Sequence, residues 1–446
     1  MSEYSKSFFS LSSWKQRLVF WIGAVVIGLL IATMTLLSEW ASAFYRSVSE
    51  SYPWFNFVVA PFGLAITAWI TVRFFPGSQG SGIPQVKTAL EIPHTLEERS
   101  KLVSLRIAFG KTFLPIMGLL SGASVGFGGP ATHVGASLMA SLGKAVNFPS
   151  HYMEKGLLLA GSAAGFAAMF SAPLAGIMFA IEEMGRTLEE RISTLVLTAI
   201  IFAGVTAYSI LNHTFYFADK TLELPWGESW LAIPLCGVVG GLAGGIFSKI
   251  VVSGQYFIKR LNTSIVLVAF VCGGVIALLG YLSNGDSFGT GYQVAKNIMH
   301  NEADVDPFFP LYKMLATIAT FFSGIPSGIF VPSIATGAGI GANLANWVPI
   351  APGSVMVLLT ITAYFAGMLQ SPLTSFVVVL EMTHSHEISI PIMAAAFIAS
   401  NTSRLINPEP LYRALCNAYQ VHRRNDVITE DLAKINNRDN DTKQDL

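Results

Sequence analysis

The chain has 446 residues, of which 52% are hydrophobic and only 12% charged, and its acidic and basic side chains balance to a formal net charge of zero. Soluble domains carry roughly 25% charged residues, so this composition belongs to a polypeptide that lives in a lipid bilayer. No basic run interleaved with aromatics is present, which excludes nucleic acid as a partner, and three widely spaced cysteines, Cys236, Cys272 and Cys416, imply neither a disulfide framework nor a metal site.

The first long apolar run, Leu18 to Leu37, follows Lys15 and Arg17 in the manner of a signal peptide. It is about twenty residues long, lacks a small-residue cleavage site and is followed by more apolar segments, so it reads as a retained membrane span. Further apolar stretches run from Trp54 to Phe74, Leu102 to Leu120, Gly156 to Ile181, Leu195 to Leu211, Trp230 to Ile250, Ile265 to Leu282, Leu311 to Phe322, Val355 to Leu380 and Ile390 to Ser400. Several are too short, or too interrupted by glycine and proline, to be simple upright helices. Basic residues near both ends (Lys15, Arg17, Arg404, Arg413, Arg423, Arg424) put both termini in the cytoplasm. That arrangement requires an even number of crossings.

Two stretches about two hundred residues apart share one skeleton: SGASVGFGGPATHVGA from Ser121 to Ala136, and SGIPSGIFVPSIATGA from Ser323 to Ala338. A second match follows in the same order, because Met169, Pro173, Leu174 and Glu182 recur as Met368, Pro372, Leu373 and Glu381. Shared order and register point to an internal duplication. The expected organisation is a cytoplasmic segment over 1–17, a first membrane repeat over 18–212, a connector over 213–229, a second repeat over 230–420 and a short charged cytoplasmic tail over 421–446. An odd number of crossings in each half would invert one repeat relative to the other. The fold class expected is an all-α integral membrane protein of two inverted-topology repeats, with broken and re-entrant helices around an anion pathway.

The chemistry lies in three glycine-rich turns, each preceding an apolar stretch: GSGIP at Gly80 to Pro84, GFGGP at Gly126 to Pro130, and GIFVP at Gly328 to Pro332. Proline suits the first turn of a helix because its missing N–H would be unpaired there. The glycines beside it (Gly80, Gly82, Gly126, Gly129, Gly328) leave backbone amides bare at the positive end of the helix dipole. An unpaired small anion faces an idealised desolvation cost on the order of 20 kcal/mol in a low-dielectric medium. Partial charges worth about 0.3 to 2 kcal/mol each admit such an ion without trapping it.

At these residues the chain resembles the CLC family of chloride channels and chloride/proton antiporters. Matching segments are GSGIP, the GxxGPxxHxG pattern from Gly126 to Gly135, SAPLAGIMFAIEEM at Ser171, GIFVP, SPLTSFVVVLEMT at Ser371 and PLYRAL at Pro410. The resemblance is to prokaryotic-type members and spans about Leu18 to Gln420. It implies a homodimer with one anion pathway per subunit, residence in a bacterial inner membrane, and no cofactor. It assigns the central anion contacts to the Ser81 and Tyr412 hydroxyls and the amides of Ile329 and Phe330, and matches Glu183 to the family's inner proton-transfer glutamate.

One position departs from the family pattern. The family's turn carries a glutamate that gates the outer anion position and moves the exchanged proton, whereas this chain has Gly128 there. A glycine can neither plug a pore nor bind a proton, so the expected function is passive, channel-like transport of chloride or a similar small monovalent anion. Exchange with protons through another carrier, with Glu183 and His133 as candidates, is the alternative. Glu183 reads equally as a proton site or as a salt-bridged helix end, and Lys111 as field-tuning, ion-paired or snorkelling. Enzyme chemistry is not expected: no HExxH motif is present and the turns lack a P-loop lysine.

Overall fold

The computed structural model describes residues 11–91, 101–146, 151–185, 193–211, 222–260, 263–300, 306–383 and 385–420. Residues 1–10 of the expected N-terminal segment, residue 212 at the end of the expected first repeat, residues 213–221 of the expected connector and the expected tail (421–446) lie outside the described residues.

Regular structure among the described residues is helical throughout. Helices α1 (Leu11–Ser51), α2 (Asn56–Phe74), α3 (Ile83–Glu91), α4 (Leu105–Leu119), α5 (Gly128–Ala145), α6 (His151–Phe170), α7 (Pro173–Phe179) and α8 (Thr194–Leu211) come first. They are followed by α9 (Ala232–Arg260), α10 (Ile265–Leu282), α11 (Tyr292–Met299), α12 (Phe309–Phe322), α13 (Phe330–Trp347), α14 (Gly353–Leu369), α15 (Pro372–Thr383) and α16 (Ser389–Arg404). The second series repeats the first element by element, and residues 411–420 form a closing helix, α17. Helix α5 packs on α6 as α13 packs on α14, and α1 packs on α8 as α9 packs on α16. Across the halves, α2 meets α10, α5 meets α13 and α7 meets α15. Each of these helices touches its own counterpart, which is what an approximate two-fold axis between inverted repeats requires.

The stretches Trp14–Ser51, Pro53–Phe74, Thr194–Leu211, Glu228–Ile258 and Ile265–Leu282 are each long and apolar enough to cross a bilayer alone. On α10, Leu267, Val271 and Leu278 point outward while Gly273 and Ala277 are buried, so the helix is apolar on both its lipid and its protein side. The remaining elements are shorter because the chain breaks them. The apolar run 156–181 divides between α6 and α7, and the run 355–380 divides between α14 and α15. At both breaks a non-glycine residue takes the left-handed conformation, Ser171 at φ 50° and Gln370 at φ 59°. Pro173 and Pro372 stand two residues later, where they start the next helix and cannot continue the previous one.

The duplicated glutamates close this arrangement. The Glu182 carboxylate accepts from the amides of Leu373 and Thr374 at 3.2 and 2.7 Å and from the Thr374 hydroxyl at 2.9 Å. In return, Glu381 accepts from the amides of Leu174 and Ala175 at 3.1 and 2.7 Å. Each repeat therefore caps the opposite repeat's broken helix, placing a negative side chain at a positive helix end.

Candidate functional site

The three glycine-rich turns, far apart in sequence, are tied together by backbone hydrogen bonds. Gly126 and Gly328 exchange N–H···O bonds at 2.8 and 2.7 Å, while Gly80 donates to Ile325 O and accepts from Ser327 N, both at 3.3 Å. The helices that follow begin at Ile83, Gly128 and Phe330, so three N-termini converge on one region. Ile329 is the N-cap of α13 and Phe330 its first helical residue. Amides at such positions have no acceptor within their own helix.

Ser81 joins this cluster from the turn before α3, and Tyr412 from α17. Their hydroxyl oxygens lie 3.4 Å apart, and both side chains are buried. Gly129 is pressed against Ser81: a Cβ there would fall 2.1 Å from Ser81 Oγ. A cavity of about 500 Å³ reaches Ser81, lined among others by Gln79, Gly80, Pro84, Gln85 and Tyr419. Hydroxyls and backbone amides donate hydrogen bonds without formal charge, so the region offers donors to an anion without holding it as a lysine would.

At Gly128 the structure differs from a simple vacancy. A Cβ on this residue would fall 2.1 Å from Cδ2 of Phe330, because the phenyl ring already occupies the space a side chain would enter. The ring is fully buried and packed among Phe166, Phe365 and Tyr412, with centroid separations of 5.5, 5.3 and 5.8 Å. The space beside Gly128 that a side chain would enter is thus taken by an apolar group that carries no proton.

Glu183 sits on a π-turn, Ala180–Met184, that sends adjacent glutamates different ways. Glu182 caps α15, whereas Glu183 pairs with Lys87 Nζ at 2.7 Å and accepts from the Ser371 hydroxyl at 2.9 Å. The salt-bridged reading of Glu183 therefore describes its resting contacts, with the refinement that the pair is buried rather than solvated. Lys111 does not snorkel and has no ion pair among the described residues: it is wholly buried and donates to Gly80 O at 2.8 Å and Gln79 O at 3.4 Å. His133 is also buried, with Nε2 placed 2.8 Å from the Leu102 carbonyl oxygen, which makes Nε2 the donor.

Two features escaped the sequence reading. Gly289-Thr290-Gly291 repeats Gly80-Ser81-Gly82, with φ of 66° and 79° at its glycines against 66° and 101°. Lys313 donates to the carbonyls of Ser287, Phe288 and Gly289 as Lys111 does to those of the first turn. A three-residue match is too short to find by eye; the signal was Lys313 recurring at the same interval as the other repeated residues. Separately, Gly122 to Gly126 has the GxSxG spelling of a nucleophile elbow. Ser124 is fully buried, with its hydroxyl 3.0 Å from Thr317 Oγ1 and its amide donating to Thr320, so it joins the two repeats.

A sequence model of the family described as voltage gated chloride channel matches residues 62–404. Among solved structures, the chain is similar to a slow cyanobacterial Cl⁻/H⁺ antiporter, with a TM-score of 0.77 at 22% identity, covering 91% of this chain and 97% of that one. It is likewise similar to a CLC-type fluoride/proton antiporter, with a TM-score of 0.75 at 20% identity, covering 91% and 98%. A eukaryotic CLC transporter gives a TM-score of 0.75 at 19% identity, covering 91% of this chain and 74% of that one.

Proposed function

The chain belongs to the voltage-gated chloride channel family, whose members move anions across membranes, and from that premise we propose that it passes chloride or a similar small monovalent anion passively, without obligatory proton exchange. The observation that carries this reading is the Phe330 ring packed against Gly128, where the family pattern has a proton-carrying glutamate. A hydrocarbon ring can obstruct an ion but cannot take up a proton and hand it on. The engagement of Glu183 by Lys87 and Ser371 is in keeping with a structural role for that residue as a salt-bridged helix end.

In this proposal the anion is held by the Ser81 and Tyr412 hydroxyls and the amides of Ile329 and Phe330, with the glycines of the three turns letting the backbone approach it. The protein works as a homodimer in a bacterial inner membrane, one pathway per subunit, both termini cytoplasmic, with the two repeats divided as 18–212 and 230–420. Paired chloride and proton fluxes through purified protein in vesicles test the reading. Chloride is expected to move down its gradient with no associated proton flux. Protons driven uphill by an imposed chloride gradient, and stopped by Glu183→Gln, would establish exchange instead and sink the passive reading.

A further inference from the structure

Lys87 belongs to none of the roles assigned above, yet it lies at a revealing place. It is carried by α3, the helix whose preceding turn supplies Ser81, and its ammonium sits 2.7 Å from the Glu183 carboxylate. Both side chains are largely withdrawn from solvent, at 12% and 2% exposure, so this is a buried pair and not a solvated surface contact. The next residue, Thr88, packs its hydroxyl 3.3 Å from Cys416 Sγ on α17, the helix that carries Tyr412. Ser81 in turn lies against Tyr412. The helix that follows the serine, the helix with the tyrosine and the buried ion pair therefore form one packed unit. With a rise of about 1.5 Å per residue, the four steps from Ile83, where α3 begins just after the Ser81 turn, to Lys87 correspond to about 6 Å along the helix.

At that range a charge matters. An unneutralised carboxylate in a partly dehydrated site acts on a neighbouring anion across such a distance, because little water intervenes to screen it. Other acids face the pair, but each has partners of its own. Glu182 is spent on the amides of α15, and Glu91 holds the Gln420 side-chain amide at 2.6 Å. Glu183 is the carboxylate for which Lys87 is the direct counter-charge.

We propose that Lys87 is a positioning residue of the anion pathway: by neutralising the buried Glu183 carboxylate, it keeps the inner approach to Ser81 and Tyr412 free of a repelling negative charge. This rests on the anion-site assignment made above. It makes the lysine an electrostatic partner of the pathway, acting through Glu183 and not by touching the anion. The two members of the pair then have opposite effects on an anion nearby. Removing the cation uncovers a negative charge, and removing the acid uncovers a positive one.

The test is chloride titration into purified full-length protein by calorimetry, with vesicle efflux measured in parallel. Lys87→Gln is expected to weaken chloride binding about tenfold, the equivalent of about 1.4 kcal/mol, and Glu183→Gln to tighten it by a comparable factor. The double variant is expected within twofold of the parent, and Lys87→Arg to bind as the parent does. Equal weakening by both single variants, or a double variant as weak as Lys87→Gln, would show that the pair serves only packing and would overturn the proposal. Unchanged affinity in Lys87→Gln would overturn it too. If Lys87→Gln does not fold, Glu183→Gln alone decides: chloride affinity equal to or below the parent's refutes the idea. A parent protein that binds chloride but passes none would defeat the transport reading and leave this cycle intact.

Discussion

Adding one methyl group at Gly128 probes the contact on which the passive reading stands. In Gly128→Ala the new Cβ would lie 2.1, 3.0 and 3.1 Å from Cδ2, Cε2 and Cγ of Phe330. Ordinary contact begins near 3.4 Å, so the ring must retreat by more than an ångström. It has little room, because Phe166, Phe365 and Tyr412 enclose it. Overpacking of a well-filled core costs about 1 to 3 kcal/mol, and Gly128→Ala should destabilise the protein by that much. Phe330→Ala alone should cost about 3 to 5 kcal/mol through the cavity it leaves. The two losses should not add, since removing the ring removes the obstacle, and a coupling of about 1 to 3 kcal/mol is expected. Unfolding of the four proteins in one detergent, followed by tryptophan fluorescence, measures it. Strictly additive losses would show that the ring does not occupy the glycine's side-chain space.

Further expectations follow from other contacts. Gly128→Glu should slow chloride passage, since its carboxylate must displace the ring to fit, and should make the flux pH-dependent; equal flux at every pH would mean that residue 128 does not face the pathway. Replacing Lys111 by Met should strip the Gly80 carbonyl of its shorter, charged donor and leave it only the 3.3 Å bond from Ser327 N, costing about 1 to 3 kcal/mol, and should weaken chloride binding, as titration would reveal. Alanine at Glu182 or at Glu381 removes charge-assisted bonds to two amides, so each should lower thermal stability by about 1 to 3 kcal/mol; a silent substitution at either would deny the reciprocal capping. In the loop before α16, the Glu387 carboxyl is raised above its ordinary 4.5 by the hydrogen bond that its protonated form donates to Glu223 and by the repulsion between the two carboxylates. A raised carboxyl contributes stability that is full below that ordinary value and is lost as pH rises through the shifted one. Glu223→Gln should therefore raise the melting temperature at pH 8 and leave it unchanged at pH 4, and an equal gain at both would refute the pairing.

Much of this architecture is legible in the residues alone. Low charge and long apolar runs announce the membrane, because hydrocarbon tolerates little else. The paired Ser-Gly skeletons and the recurring Met, Pro and Glu announce the repeat, because inverted halves need the same breaks at the same spacing. The three glycine-proline turns mark helix starts by local chemistry, since a ring-locked φ and a missing donor act within a single turn. The chain breaks before Pro173 and Pro372 are local in the same sense.

What the turns face is not local. Gly126 meets Gly328, and Ser81 meets Tyr412, only once helices from both repeats have packed, so spacing along the chain says nothing of these pairings. A glycine at 128 is legible as a departure from the pattern the sequence resembles, but that a phenyl ring from the other repeat fills the space beside it depends on the approach of α13 to α5. The duplicated glutamates were visible as a pattern, yet their exchange of caps across the two-fold axis needed both broken helices in position. Likewise nothing in the sequence ties Lys87 to Glu183, nearly a hundred residues away, until burial brings the two together. Covalent geometry and solvent preference act on neighbours and decide the elements. Which buried group neutralises or fills which is decided by long-range packing, where an unpaired charge or an empty volume is too costly to leave.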